Sequence, residues 1–586
     1  MFTAMTDTEP IVEDRSVLTS MFLDELKNED VQARICVIRR LQSISKSLGF
    51  EKTREDLLPM LSEILDDEDD VLLVLAEEIK NLVDAVGGKE YAYLLLVPLE
   101  LLASADETAV RNKAVEAIKS VAEILPNEHI QAYLVPCIRR LGTGDWFSPR
   151  ISASNLLAAA YPKVSPEIQA ELRVLFNNLC SDDTPMVRRS AFSQLKDFVK
   201  LVDREYLDSI IETFKFVAKN EQDSVRLLTV GNCIAIAEML NEEERDKHIL
   251  PVVRACAMDK SWRVRYMVAT LFLELYDIMN PKLNRSEFVD YFVQLLCDVE
   301  TEVKIAACSN ITKFCQRGGE ELVEWVMPLI QDLAKDTDQH VRMILAEDIV
   351  GLASIVTKEE MIKQLLNLYL LLLKDETSEV RLNIISRFDM LNKVIDADFL
   401  LRHLMPTIIE LAEDRQWRVR LAVIEYIPLI AKELSAEFFD QKLTNLCMIW
   451  LGDSVFSIRE AATKNLKHLT EIFGVQWAQE KIIPNILILR SEPNYLHRMT
   501  ALAAFSVLST VVSSDVVGST MLNYVTEMAY DSVPNVRFNT AKTLQKFIPV
   551  LSRAVINTKV KPTLEKLLND PDMDVRYYSQ QAWELL

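Results

Sequence analysis

Apolar and polar positions along the chain follow a helical spacing that restarts at a regular interval. One face of a helix is marked by apolar side chains at Val264, Val268, Leu271, Phe272 and Leu275. A second apolar segment, such as Ile249–Met258, precedes this face and carries a proline near its start. The pattern predicts two antiparallel helices joined by a short polar turn, the earlier helix being kinked or started by its proline.

The same pair of segments recurs every 38 or 39 residues. A basic residue, often preceded by Val, marks each recurrence. Its positions are Arg34, Arg111, Arg150, Arg188, Arg226, Arg265, Lys304, Arg342, Arg381, Arg420, Arg459, Arg498, Arg537 and Arg576. Between Arg34 and Arg111 the same position is occupied by Val71-Leu72, which carries no charge. These fifteen repeats are predicted to stack, because one helix pair cannot bury both of its faces.

Two further positions keep the same register. Six residues before the basic position stands Asp in ten repeats: Asp66, Asp182, Asp259, Asp298, Asp336, Asp375, Asp414, Asp453, Asp531 and Asp570. Asn28, Asn220 and Glu492 replace it conservatively, whereas Ala105 and Gly144 do not. We expect this short acceptor to bind free N–H groups of the following helix. We also expect the acidic and basic positions to form a ladder along adjacent turns, so the basic series is interpreted as mainly structural.

Prolines complete the repeat signature, thirteen or fourteen residues before the basic position. They are Pro59, Pro98, Pro136, Pro251, Pro328, Pro406, Pro484 and Pro562. Two helices in about 39 residues exclude the 34-residue tetratricopeptide and 33-residue ankyrin periods and resemble the HEAT class. We therefore predict an all-α fold, an α-solenoid (right-handed superhelix) of about 15 HEAT repeats. Residues 1–15 are predicted to be a flexible tail and 16–586 a single solenoid, roughly 150 Å long at ~10 Å between packed helices.

Composition narrows the functional classes. A net charge of −23 disfavours nucleic acid and anionic membranes as partners, and favours a basic protein partner. Nine cysteines without a CxxC pair predict reduced, buried thiols in a cytoplasmic or nuclear protein. The N-terminus lacks the apolar core of a signal peptide. The longest apolar runs, Tyr91–Ala103 and Ala501–Val512, are too short to span a bilayer.

Each predicted turn presents one residue at its tip, three positions before the basic residue. In order, the tips are Val31, Asp69, Thr108, Phe147, Pro185, Asp223, Trp262, Thr301, Gln339, Ser378, Trp417, Phe456, Tyr495, Pro534 and Met573. Repeats 11–15 are uniformly apolar there, repeats 4, 5 and 7 carry Phe, Pro and Trp, and repeats 8–10 are polar. Because exposed aromatic residues are typical interface anchors, we predict two docking sites separated by a spacer. The alternative is that these rings fold back onto neighbouring turns.

Motifs for catalysis are missing from the sequence. The six histidines are scattered, and there is no HExxH, no zinc-spaced Cys/His cluster, no GxxxxGK[ST] and no GxSxG. Gly142-x-Gly144 is interpreted as a turn between helices, and Asp66–Asp70 as a solvated turn without EF-hand spacing. We predict no catalytic residue, no metal and no cofactor.

Long stretches of the turns closely resemble the scaffold, or A, subunit of protein phosphatase 2A. They are Cys180–Ala191, Glu221–Leu228, Asp259–Ala269, Glu379–Ser386, Trp417–Leu429, Ile458–Lys467, Pro493–Leu502 and Asn535–Lys546. The resemblance covers the chain after about residue 16. It implies a non-catalytic scaffold of a heterotrimer, with the phosphatase catalytic subunit on the turns of repeats 11–15 (about 398–586) and a variable regulatory B subunit on those of repeats 2–8 (within about 16–320). Repeats 9–10 (about 321–397) are the spacer.

The resemblance also implies contact residues. Matching positions for the catalytic subunit are Trp417, Arg418, Phe456, Tyr495 and Asn535. Those for the regulatory subunit are Pro185, Arg188, Arg189, Ser261 and Trp262. The chain departs from the family at Phe456, where a tyrosine is usual, and at Pro149, which is expected to alter the fourth turn.

Two other classes of protein share some of these features. A nuclear-transport receptor is also an acidic helical-repeat solenoid, and would bind a small GTPase and basic cargo on its inner helices. An enzyme with an unrecognised site is the third class. The apolar turn tips favour the phosphatase scaffold over both.

Overall fold

The protein is described by a computed structural model covering residues 25–26, 28–64, 67–279, 281–357, 364–387 and 400–586. It divides into two compact halves, an N-terminal half (Met1–Leu295) and a C-terminal half (Leu296–Leu586). The regular structure of the described residues is entirely helical, with no strand among them. The predicted all-α fold built from helix pairs is confirmed.

The second helix of each repeat begins at the residue that the sequence placed at the turn tip. In the N-terminal half these helices are Val31–Ile38, Asp69–Ile79, Thr108–Ile124, Phe147–Ala160, Pro185–Ser193, Asp223–Arg226 and Trp262–Thr270. In the C-terminal half they are Thr301–Cys308, Gln339–Asp348, Ser378–Ile385, Trp417–Glu433, Phe456–Phe473, Tyr495–Leu508, Pro534–Phe547 and Met573–Trp583. Several are followed after a short break by a further helix, namely Leu41–Leu48, Leu195–Phe198, Leu228–Met239, Phe272–Ile278 and Ile311–Gly318.

The first helices carry the prolines. Their main segments are Leu58–Glu63, Leu96–Leu102, Val135–Gly142, Pro166–Cys180, Leu207–Val217, Leu250–Ala257, Pro281–Leu296, Glu320–Leu333, Leu366–Leu373, Met405–Leu411, Thr444–Leu451, Ile483–Ile488, Leu522–Met528 and Lys561–Leu568. In five repeats a wider, π-helical turn stands directly before the proline-containing segment: Thr53–Leu57, Ile130–Leu134, Leu400–Leu404, Ala478–Ile482 and Ile556–Val560. A further π-helical turn, Val517–Met521, precedes a segment without proline, so proline is not the only cause of the wider turn. Proline stands in the first turn of six of the first-helix segments, as predicted for a helix started by its proline.

Within each half, the second helix of one repeat packs against the second helix of the next. The predicted apolar face is the buried face. Val264, Val268, Phe272 and Leu275 are at most 1% exposed, while Leu271 is half-buried at a break in the helix. The core is therefore continuous along each half, as the stacking of incomplete hairpins requires.

The thiol prediction is correct for seven of the nine cysteines, which are buried and free. It is wrong for Cys36 and Cys297, which are free but exposed. Cys36 lies in the short helix Val31–Ile38, and Cys297 is in the turn that follows the helix Pro281–Leu296. Among the described residues, no helix is long and apolar enough to cross a membrane.

Candidate docking surfaces on the turn tips

Where the turn carries the repeat Asp, a three-way junction around it holds the turn, as Asp259 illustrates. One carboxylate oxygen accepts the N–H of Ser261 at 2.8 Å, which caps the turn. The carboxylate also accepts Nε and Nη2 of Arg226 from the preceding repeat, both at 2.8 Å. The carbonyl oxygen of Asp259 accepts Nη1 of Arg265, from its own repeat, at 2.7 Å. The same acid therefore closes its own turn and binds the turn before it.

The predicted ladder is confirmed. Its ion pairs are Arg34–Asp67, Arg150–Asp182, Arg226–Asp259, Lys304–Asp336, Arg342–Asp375, Arg381–Asp414, Arg420–Asp453, Arg498–Asp531 and Arg537–Asp570. Asp66 lies outside the described residues, and the partner of Arg34 is the neighbouring Asp67. In the described chain Arg188 and Arg459 make no ladder pair with Asn220 and Glu492, so these two replacements are not equivalent to Asp.

The ion pairs of the ladder lower the pKa of three of its carboxyl groups. Burial disfavours the charge on Asp259, but the Arg226 guanidinium and the Ser261 N–H outweigh burial and hold the pKa of Asp259 below its usual value. The same balance lowers the pKa of Asp531 and Asp570. Hydrogen bonding to Asp259 in turn raises the pKa of Arg226. The turns are thus fixed relative to their neighbours, and the first residue of each second helix is displayed beside them.

The tips of repeats 11–15 form the first candidate surface. Phe456 is 68% exposed, Met573 is 72% exposed and Tyr495 is 38% exposed. Trp417 is half-buried, and the Arg418 guanidinium lies 5.1 Å from its ring centroid. Arg418 and Asn535 are exposed, and Pro534 is half-buried. Apolar side chains at these five consecutive turns are therefore accessible to different degrees.

The tips of repeats 5 and 7 form the second candidate surface. Pro185 and Arg189 are exposed. Trp262 is half-buried, with its ring edge-on to Tyr266 at 6.4 Å and the Arg263 guanidinium at 5.7 Å. The ring of Trp262 thus packs within its own repeat and keeps part of its surface accessible.

Two predicted contacts of this surface also have internal partners. The hydroxyl of Ser261 donates to Asp223 at 3.0 Å. Nη1 of Arg188 donates to the carbonyls of Asp182 and Asp183 at 2.6 and 3.1 Å. Part of the hydrogen-bonding capacity of Ser261 and Arg188 is therefore used to hold the turns.

In repeat 4 the accessible aromatic residue is not the predicted tip. Phe147 is half-buried, whereas Trp146, which precedes the helix, is 76% exposed. The rule that places the tip three residues before the basic residue selects Phe147 and misses Trp146. The adjacent aromatic pair Trp146-Phe147 was the sequence feature that could have revealed it. The expectation that Pro149 distorts the turn is wrong: Arg150 still donates to the Gly144 carbonyl at 2.8 Å and pairs with Asp182. Proline is tolerated in the first turn of a helix, where its missing N–H has no intrahelical acceptor.

Tyr530 is a second exposed aromatic residue that the tip positions did not reveal. It is 75% exposed, and the Lys566 ammonium lies 3.3 Å from its ring centroid.

The described residues contain no group of three or more His, Cys, Asp or Glu side chains arranged to hold a metal ion. The side chains displayed at these surfaces offer apolar and cation–π contacts.

Comparison with known proteins identifies the family of the chain. A family model described as the PPP2R1A-like HEAT repeat matches residues 281–357. The PP2A regulatory A-type subunit of Saccharomyces cerevisiae is 38% identical over 589 residues, covering 96% of this chain and 92% of the yeast protein. The human 65 kDa regulatory A-type subunit, beta isoform, is 47% identical, with 58% of each chain covered. The PP2A regulatory A-type subunit of Schizosaccharomyces pombe is 44% identical, with 46% of each chain covered. The match to these last two relatives thus spans about half of their length.

Solved structures of nuclear-transport proteins share the architecture. Importin beta aligns with a TM-score of 0.56 at 11% identity, over 97% of this chain and 82% of that chain. Kap121p bound to Pho4p aligns with a TM-score of 0.61 at 15% identity, over 91% of this chain and 57% of that chain. Such low identities show the fold alone and do not favour the transport-receptor alternative. The relative that aligns over almost its whole length decides the matter: the chain belongs to the family of protein phosphatase 2A scaffold subunits of the A type, which are regulatory and not catalytic.

Proposed function

We propose that this chain is the scaffold of a protein phosphatase 2A heterotrimer. The turn tips of repeats 11–15 hold the catalytic subunit, and those of repeats 2–8 hold a variable regulatory B subunit. The polar tips of repeats 9 and 10 (Gln339 and Ser378) separate the two sites. The scaffold acts in the cytoplasm and nucleus, where free thiols persist.

One observation carries the proposal: apolar side chains lie exposed at successive turn tips. Phe456, Tyr495 and Met573 each begin a second helix and each retain more than a third of their surface in water. A row of such residues is costly unless a partner covers it, and Trp and Tyr are the usual anchors of protein interfaces. Arg–Asp pairs join repeat 11 to 12, repeat 13 to 14 and repeat 14 to 15, so the turns that carry these anchors are largely organised before the partner arrives.

Tethering explains how a chain without catalytic groups acts in dephosphorylation. Two subunits held on one scaffold are exposed to each other at a high effective concentration, without a new contact between them. The regulatory subunit selects the substrate, and the scaffold keeps the phosphatase active site beside it.

The catalytic-subunit site is tested by light scattering coupled to size-exclusion chromatography, followed by calorimetry. The chain mixed with a phosphatase 2A catalytic subunit is expected to elute as a 1:1 complex. Trp417→Ala should weaken binding by about 2 kcal/mol, roughly 30-fold, because it removes an aromatic anchor. The double variant with Tyr495→Ala should elute as two peaks at micromolar concentration.

A matched control is Trp325→Ala. Trp325 is 53% exposed on the first helix Glu320–Leu333, away from the turn tips. It should leave the affinity unchanged. Equal losses in Trp325→Ala and Trp417→Ala would refute the tip site.

The regulatory-subunit site is tested on the preformed complex with the catalytic subunit. Trp262→Ala is expected to weaken capture of a B subunit at least tenfold while leaving the 1:1 core complex intact, because the Trp262 tip lies in the other candidate surface. A loss of the core complex in this variant would contradict the division into two sites.

A further inference from the structure

A groove runs along the second helices of repeats 12–15. Its walls are Phe456–Phe473, Tyr495–Leu508, Pro534–Phe547 and Met573–Trp583. Its volume is about 520 Å³. Apart from Phe456, whose ring stands at one end, the groove lies beyond the turn tips along the helices. The inference below therefore does not rest on the proposed function.

The charge of the groove is opposite to that of the chain. Four cationic side chains line it, Arg459, Lys464, Lys542 and Lys546, against one acid, Glu460. Glu460 is bound to Lys464 at 2.9 Å. Arg459 is buried and donates to the carbonyls of Asp453 and Ser454 in its own turn. Within the described chain, Lys542 and Lys546 form no ion pair, and two such cations in a chain of net charge −23 favour an anionic partner at this groove.

The position of one of these ammonium groups is fixed by aromatic rings. Nζ of Lys542 lies 3.9 Å from the ring centroid of Tyr578 and 4.9 Å from that of Phe538. The two rings are themselves 5.5 Å apart. Cation–π contact holds the charge at the groove wall without neutralising it. A bound carboxylate would therefore meet a pre-positioned cation.

The floor of the groove is apolar. Leu496, Met499, Ala503 and Val507 form a stripe along the second helix of repeat 13, and none of them is buried. Side-chain amides at the edges, from Asn539, Gln545 and Gln581, can bind peptide N–H and C=O groups. Apolar floor, polar edges and basic walls together match an extended peptide better than an inorganic anion.

We propose that this groove binds an extended acidic peptide segment of a partner protein. Carboxylates of the segment pair with Lys542 and Lys546, and one apolar side chain packs on the stripe from Leu496 to Val507. Four helices at about 8–10 Å spacing span roughly 27 Å, which about eight extended residues cover. A long polyanion such as RNA is disfavoured, because the acidic remainder of the chain repels it, whereas a short segment is affected mainly by charges within about 8 Å.

The test is fluorescence anisotropy on the full chain with a fluorescein-labelled nonapeptide of Glu and Asp that carries one central Phe. Saturable binding is expected, at least tenfold weaker for the double variant Lys542→Glu, Lys546→Glu. Lys546→Glu alone, which touches neither ring, should weaken binding at least threefold. Replacing the Phe of the peptide by Ser should also weaken binding at least threefold.

The matched control is the double variant Lys559→Glu, Lys561→Glu, which makes the same charge change on the first helix of repeat 15. The affinity of this control variant for the peptide should equal that of the unmodified chain. Equal weakening in both double variants would show that the peptide senses net charge alone and would overturn the proposal. So would the absence of saturation, or equally tight competition by a single-stranded DNA oligonucleotide of the same charge.

Discussion

Removal of one acid from the ladder is the most direct test of how the turns are held. Asp531 receives Nε and Nη2 of Arg498 at 2.6 and 3.0 Å, and it caps the N–H of Val533 at 2.9 Å. The two charged side chains are 13% and 6% exposed. In Asp531→Ala, the Arg498 guanidinium loses its only carboxylate partner in the described chain and the turn loses its cap.

The expected magnitude follows from burial. Breaking a buried ion pair by removing one partner costs about 3–5 kcal/mol, and solvent contact places this pair toward the lower end. Loss of the Val533 cap adds about 1 kcal/mol. A local destabilisation of about 3–4 kcal/mol is therefore expected for the turns of repeats 13 and 14.

Hydrogen exchange measured by mass spectrometry is the suitable assay, because a repeat protein opens locally and its unfolding is not all-or-none. Amides in residues 495–547 should exchange at least about 100-fold faster in Asp531→Ala. The control is Glu347→Ala, which removes the partner of Arg387 at 2.7 Å from a pair that is 43% and 48% exposed. Such a surface pair contributes about 0–1 kcal/mol. Equal effects of the two substitutions would refute the assignment of the ladder as the main support of the turns.

Three further outcomes are expected. Gly144→Ala should lower the thermal midpoint by about 1–2 °C, because a Cβ there would lie 2.8 Å from Cγ of Pro149, and the double variant with Pro149→Ala should recover most of the loss in calorimetry. Thiol titration of the native chain should label Cys36 and Cys297 well before the other seven cysteines, and unfolding should expose all nine; more than two fast thiols would contradict the burial described above. The pKa of Asp531 is lowered in the folded chain, so its contribution to stability is complete above about pH 4 and is lost as the pH falls through the lowered pKa. Asp531→Asn should therefore flatten the fall in stability below about pH 4, whereas a parallel shift would contradict the linkage.

The repeat, the helix pair and the ladder were predictable because each depends on local spacing. A basic residue every 38 or 39 positions, with Asp six before it in most repeats, places the same two side chains at the same point of most turns. The resulting contacts follow from a single geometry, as the junction at Asp259 shows. Even the first residue of each second helix could be read from the sequence, since the turn fixes where the helix begins.

Tertiary structure decided what depends on the neighbouring repeat. Trp417 and Phe456 occupy the same position of the repeat, so the sequence predicts the same exposure for both. In the structure Trp417 is half-buried and Phe456 is exposed, because the exposure of each ring depends on the neighbouring side chains. The groove with the apolar stripe from Leu496 to Val507 as its floor could not be predicted from the sequence either. Its basic residues are far apart in the sequence and come together only when the helices stack. Local spacing determines the turn, whereas exposure and the chemistry of a shared surface are set by packing between turns.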